Sequence, residues 1–512
     1  MSPPAHVDAG ALGSRPLTRV GAVISAVAPF AVALSHAGSA SIWRDDVVLL
    51  RGLGWVGWGR AGCVSALAAQ ASFFLPLGSV HFRLALVAAM VLGAAGFAVH
   101  AATRDLLARD ANAPLLSDAL ATIASLTATL SATGQSEGAV AGGSGFALLL
   151  AVMILGAKPA EALRHPPRAA YLGMLAGALL AESSLAALAL GLGVALGLLA
   201  EGPRPTPRAA AFALGGAVAS AALLFSPAWV RPFASASFLD IDRAMGAMRA
   251  LPAARPLGGV LGRFSAEGSI LVALAAIGFG VGLVPRRLRG AAVPLAVVTA
   301  LYAASVFAEG QLFLAEDVAP LHLVVTAALA MSAAIAVQAI ATSILAWQLP
   351  MAKGAVILLV MTDLTLAVAT AEEASFANDR SSWRGAEAFT DDALEQLPPA
   401  ATLFVRSRPA AYRLWGAQLA HGSRPDVLVI PVPGTGDARL ALRLLRAEPA
   451  LQKALQDISL EGRPGEEALT ILADARPVLV ELDPAWDRRV VSHFVPDRLW
   501  LRFAPKDRKS VV

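Results

Sequence analysis

Apolar runs long enough to cross a lipid bilayer recur along most of this chain, and they leave it few folds. A bilayer core takes about 20 predominantly apolar residues per helix. Runs of that kind fall near residues 20–40, 82–103, 116–133, 139–157, 169–183, 185–200, 209–228, 269–285, 291–308, 319–345 and 354–371. In lipid every backbone polar group must be satisfied internally, so such segments cross as helices. The expected architecture is a multipass α-helical membrane protein of about 11 transmembrane helices. Composition agrees: 56% of the 512 residues are apolar and 15% charged, against about 25% charged in soluble domains. The formal net charge of +4 is modest, and no Lys/Arg run marks a nucleic-acid partner. The single cysteine, Cys63, excludes an internal disulfide framework and any cysteine-clustered metal site.

Richness in Ala, Gly, Leu and Arg with few Lys fits a high-GC bacterial genome, and the expected location is the inner membrane. Arg15 and Arg19 precede an apolar run to Leu34, and Ala37-Gly38-Ser39-Ala40 resembles a signal-peptide cleavage site. The many later spans favour a retained first helix. With the N-terminus cytoplasmic, the inner loops carry Arg104, Arg109, Lys158, Arg164, Arg168, Arg204, Arg208, Arg286, Arg287, Arg289 and Lys353. The outer loops then hold Asp45, Asp46, Glu137, Asp240, Asp242, Glu309, Glu316 and Asp317. This asymmetry follows the positive-inside rule and sends the C-terminal tail outside.

Two domains are expected: a transmembrane domain over 1–371, with its first extracytoplasmic loop at 41–81, and a small soluble α/β domain over 372–512. In the tail, Thr402-Leu403-Phe404-Val405, Asp426–Val432, Ala468–Leu472 and Pro477–Leu482 read as strands. Residues 410–420 and 439–447 show helical spacing. Strands alternating with helices predict a largely parallel sheet. Gly434-Thr435-Gly436 is only a Gly-x-Gly and reads as an ordinary strand-to-helix turn rather than a phosphate cradle.

The loop at 41–81 is longer than a connector requires. It opens with Trp43-Arg44-Asp45-Asp46 and carries Trp55, Trp58 and Phe73-Phe74, types that favour the headgroup level. Val64 to Leu75 reads as an amphipathic interface segment. Asp45 and Asp46 allow two readings. A carboxylate there can act as general base, or hold a divalent cation that neutralises a phosphate leaving group. Alternatively, the pair caps the next helix and salt-bridges Arg44 or Arg51. Chemistry alone favours the second. His81, His100 and His322 stand singly, so no protein-built metal site is expected. Glu182, between two short spans, reads as a wet turn residue or an intramembrane carboxylate. Asp363 in the last span has no obvious partner.

Taken together, Trp43, Asp45 or Asp46, Leu75-Pro76-Leu77-Gly78 and Arg83 at the head of the second span resemble the glycosyltransferase-C superfamily. They are most similar to the domain-of-unknown-function 2723 family, whose animal members are plexin-type protein O-mannosyltransferases. In the tail, Leu397-Pro398-Pro399-Ala400-Ala401, Leu414-Trp415 and Arg424-Pro425-Asp426-Val427 resemble that family's strand motifs. The resemblance implies a membrane glycosyltransferase that moves a sugar from a polyprenyl-phosphate donor to an extracytoplasmic protein or glycan. It implies Asp45 or Asp46 as the acid, and Arg44, Arg83, Arg231, Arg243 and Glu137 as substrate-binding candidates. The chain departs from the family at Trp58–Gly62, which lacks a His and two prolines, and at Gln135 and Glu137, which lack an aromatic partner. Those departures keep two alternatives open: a catalytically impaired relative that binds a polyprenyl lipid or partner protein, and a multipass transporter.

Overall fold

A computed structural model describes residues 9–37, 46, 48–50, 62–108, 113–138, 140, 143–201, 206–225, 257–309, 315–435, 438–483 and 486–505. They fall into two compact units. The first takes its described residues from 9–37, 85–224 and 257–381; the second takes them from 46–84, 225 and 382–505. The first loop thus groups with the tail. Trp43, Trp55 and Trp58 lie outside the described residues.

The first unit is helical. Its centre is the helix Ala315–Ala346, whose residues from Leu323 to Gln338 are buried without interruption. A helix apolar on every side is one enclosed by other helices. Small residues let those neighbours come close, the usual device where lipid removes the hydrophobic drive between helices. Gly278 of Ser269–Leu283 lies so near the Ser332 carbonyl that a Cβ there would collide with it. Ser332 Oγ in turn donates to Ala275 O at 3.0 Å. Gly96 stands in the same relation to the Ser25 carbonyl. At the opposite extreme, Ala352–Asn378 leaves Ile357, Leu358, Met361 and Val368 exposed, a surface suited to lipid.

Five described helices are long and apolar enough to cross a membrane, or seven if two sharply bent pairs each count as one span. Pro114–Thr129 meets Ala132–Gly138 at 63°, and Gly258–Ala266 meets Ser269–Leu283 at 99°. The second bend passes through Gly268, whose φ of 104° only glycine adopts readily. Other apolar helices are shorter, such as Gly145–Gly156 with 12 residues, or about 18 Å at 1.5 Å per residue. Hydropathy marks such runs without showing where a helix breaks or stops. The protein is a multipass helical membrane protein, as its composition requires.

The second unit is built on a five-stranded sheet of order β2-β1-β3-β5-β4. Its strands are β1 (Thr402–Val405), β2 (Leu428–Pro431), β3 (Val478–Val480), β4 (Phe494–Asp497) and β5 (Trp500–Phe503). β1 runs parallel to β2 and β3, while β5 is antiparallel to β3 and β4. All four residues of β1 are buried, as a central strand covered on both faces requires. Arg408–His421 and Ala438–Ala447 form the expected helices.

Ala468–Leu472 is a correction: it belongs to the helix Glu466–Ala475, not to a strand. Ala468, Leu469 and Leu472 are buried, an i, i+1, i+4 pattern that fits one helical face. Glu466 and Glu467 sit in its first turn, where acids suit the helix dipole.

Candidate functional site

The motifs singled out in the sequence prove to be joints of the second unit. Arg83 donates from Nε to Leu77 O at 2.8 Å, from Nη2 to Gly78 O at 3.1 Å and from Nη1 to Phe73 O at 3.3 Å. Gly78 has φ of 51° with Phe82 against it, so the Leu-Pro-Leu-Gly turn needs its glycine and is clamped by the arginine. The interface segment is the helix Cys63–Ser72, followed by an exposed Phe74.

Asp46 is fully enclosed, with Oδ1 3.3 Å from Arg413 Nη1 and 3.9 Å from His81 Nε2. Arg413 also donates from Nε to Thr390 Oγ1 at 2.6 Å. Gly416, one helical turn on from Arg413, leaves the space: a Cβ there would stand 2.9 Å from Asp46 Oδ1. Asp46 therefore pairs with an arginine far along the chain, while Arg44 and Arg51, the partners of the structural alternative, lie outside the described residues. Sequence reading did not single out Arg413. The available signal was its place between Tyr412 and Leu414-Trp415 on an otherwise buried helix, where a guanidinium needs a carboxylate. Arg44, Asp45, Arg231 and Arg243 lie outside the described residues.

The tail motif does similar work. Arg424 donates to both carboxylate oxygens of Asp426 at 2.9 Å and to the carbonyls of Leu394, Leu397 and Pro398. Asp426 also accepts from the Ala400 N–H at 2.8 Å. The Arg424 hydrogen bonds, then that of Ala400, hold the Asp426 carboxyl well below the usual carboxylate range.

The helical unit holds a cluster of ionisable side chains that surrounds the 99° bend. Glu267, at the bend itself, accepts from Thr133 Oγ1 and lies 3.3 Å from His322 Nε2. The His322 ring stacks on Tyr302 with centroids 4.8 Å apart, and Phe264 meets Tyr302 edge-on at 5.5 Å. Arg263, on the helix leading into the bend, pairs with Glu309 at 2.7 Å. Glu137, next to the other bend, is buried and accepts from Ser144 N at 3.1 Å and Oγ at 2.9 Å. Charged and titratable groups inside apolar helices are costly and mark functional sites. The arrangement supplies a partly exposed guanidinium suited to phosphate, together with carboxylate, imidazole and phenol groups for hydroxyls.

Of the sequence candidates, this cluster includes Glu137. Arg263 and Glu267 were missed because a hydropathy window starts the span at residue 269 and skips the bend, and Tyr302 because it lies within the apolar run 291–308. Glu182 does end a helix at a tight turn before Ser184, but it is buried rather than wet. Among the described residues, no three His, Cys, Asp or Glu side chains gather as metal ligands would.

No protein-family model and no curated protein matches the chain. Among solved structures, ArnT from Cupriavidus metallidurans bound to undecaprenyl phosphate is similar, with a TM-score of 0.57 and 12% identity. The match covers 96% of this chain and 98% of that one. The likeness shows a shared fold over nearly the full length of both chains.

Proposed function

We propose that the chain is a membrane glycosyltransferase-like protein of the C type, resembling the plexin-type O-mannosyltransferases. It takes a sugar from a polyprenyl-phosphate donor and passes it to an extracytoplasmic protein or glycan. On this reading it crosses the bacterial inner membrane eleven times, with its N-terminus cytoplasmic and the α/β unit outside. The observation that carries the reading is the Arg263–Glu309 and Glu267–His322 cluster at a broken apolar span. Broken helices inside a membrane occur where backbone and side chains meet a ligand. The likeness to ArnT, a protein seen with undecaprenyl phosphate, supports a polyprenyl lipid as the ligand.

In the proposed reaction an acceptor hydroxyl gives its proton to a loop carboxylate as its oxygen attacks the anomeric carbon. The bond from that carbon to the phosphate oxygen breaks, the centre inverts, and polyprenyl phosphate leaves. Asp45 is the proposed base, because Asp46 is committed to Arg413. Arg263 is the proposed phosphate partner in the helical unit, with Arg231 and Arg243 as further candidates. Arg44 is a substrate-binding candidate in the loop, Glu137 is a polar group for the sugar, and Arg83 supports the loop. A divalent cation on the donor phosphate fits the same chemistry.

The test is binding. Undecaprenyl phosphate is titrated against the full chain in phospholipid nanodiscs, with undecaprenol as the uncharged control. The reading expects the phosphate form to bind more tightly, and Arg263→Gln to abolish that preference. Equal binding of the two lipids by the wild type would reject it. A second reading, a relative that binds the lipid without transferring sugar, is favoured by the burial of Asp46 against Arg413; it expects phosphate-dependent binding with no turnover.

A further inference from the structure

A cavity of about 360 Å³ among the helices and one of about 220 Å³ in the α/β unit stand apart from the cluster at the bend. The second has the stronger architecture. β1, β2 and β3 are parallel, and the chain leaves β1 toward β2 on one side, then crosses back to place β3 on the other. Adjacent strands whose connections depart in opposite directions open a crevice beyond their carboxyl ends, where α/β sheets bind ligands. The cavity lies there: Arg406 follows β1, Val432 and Pro433 follow β2, and Glu481 and Asp483 follow β3.

Its walls are fixed in advance. Glu481 Oε2 accepts from the backbone N–H of Arg406 at 2.6 Å and of Ser407 at 2.7 Å, and Asp483 pairs with Arg406. Trp486 is anchored by its Nε1–H to Glu481 O at 3.1 Å and by an edge contact to Phe494 at 5.3 Å. Glu461 and Arg463 complete the rim. Three carboxylates against two guanidiniums disfavour an anion. Carboxylate acceptors beside guanidinium donors suit hydroxyls, each of which both donates and accepts, and an indole wall suits an apolar ring face. The volume is below the about 300–1,000 Å³ of pockets for drug-sized ligands, which points to a single small ring.

We propose that this crevice is a monosaccharide-binding site for a neutral sugar. The proposal does not depend on the transfer reaction. The full chain, held in phospholipid nanodiscs because sugar-headed detergents would compete, is examined by saturation-transfer NMR with glucose, mannose and galactose. Glycerol and inorganic phosphate serve as controls. At least one hexose is expected to receive saturation, and glycerol none. Trp486→Ala and Asp483→Asn should each weaken that hexose by about tenfold or more, about 1.4 kcal/mol, while Trp486→Phe, which keeps an aromatic wall, retains it. Matching thermal unfolding of the variants keeps a folding defect from imitating the result. No saturation of any hexose, equal signals in wild type, Trp486→Ala and Asp483→Asn, or displacement of the hexose by phosphate would each overturn the proposal.

Discussion

Arg413 keeps only 4% of its side chain exposed beside an Asp46 with none, so each charge depends on the other. Removing one partner of a buried pair strands the other and costs about 3–5 kcal/mol. Arg413→Ala and Asp46→Ala should each destabilise the full chain by that amount, read as a lowered unfolding midpoint. The double variant should cost less than the two single losses combined. Additive losses would show that the pair is not coupled. Asp426 makes a separate prediction in pH. Its carboxyl is depressed below the ordinary value of 3.8 by Arg424 and the Ala400 N–H. A group depressed on folding adds stability that is fully present above its unfolded value and is lost as pH falls through the folded one. Wild type should therefore lose stability below about pH 4, and Asp426→Asn should flatten that part of the profile. Tryptophan fluorescence across an acid titration reads both. The sequence revealed Asp46, Arg83 and Arg424 as unusual, but it hid their partners. Arg413 lies hundreds of positions from Asp46, and no local pattern links them.

Helix contacts in the membrane unit are set by missing side chains as much as by present ones. Gly278 faces the Ser332 carbonyl, whereas Gly280, two residues on, has nothing within 4 Å of where a Cβ would stand. Gly278→Leu should force Ser269–Leu283 away from Ala315–Ala346 and destabilise by about 1–3 kcal/mol or more. Gly280→Ala should be neutral or slightly stabilising, since Ala is the better helix former. Thermal unfolding in detergent separates the two; equal effects would contradict the packing account. Elements were legible where the pattern was local. Thr402–Val405 and Val478–Val480 are unbroken apolar runs between turn residues, and both are strands. Ala468–Leu472 misled because a short apolar run fits a helix face as well as a buried strand. The β4–β5 hairpin went unseen because its four-residue strands mix polar residues and Pro496 with aromatics. The bends at residues 130–131 and 267–268 were invisible to a hydropathy window, so the buried Glu267 went unread, whereas Glu137 beside the first bend was singled out only through the family resemblance.

For the whole molecule, composition alone marked the membrane class, and the likeness to ArnT shows a fold shared over nearly the full length of both chains. The activity is the proposal that remains to be tested. The most direct measurement follows release of polyprenyl phosphate from a polyprenyl-phosphate sugar by the full chain in nanodiscs, with cell-envelope extract as acceptor. Wild type is compared with Asp45→Asn and Asp46→Asn. The account predicts turnover by the wild type, and a loss of about 10²–10⁴-fold in Asp45→Asn, the range for a missing general base. Asp46→Asn should act chiefly through lowered stability. Equal turnover by wild type and Asp45→Asn would contradict it, as would the absence of any sugar transfer by a wild type that unfolds cooperatively.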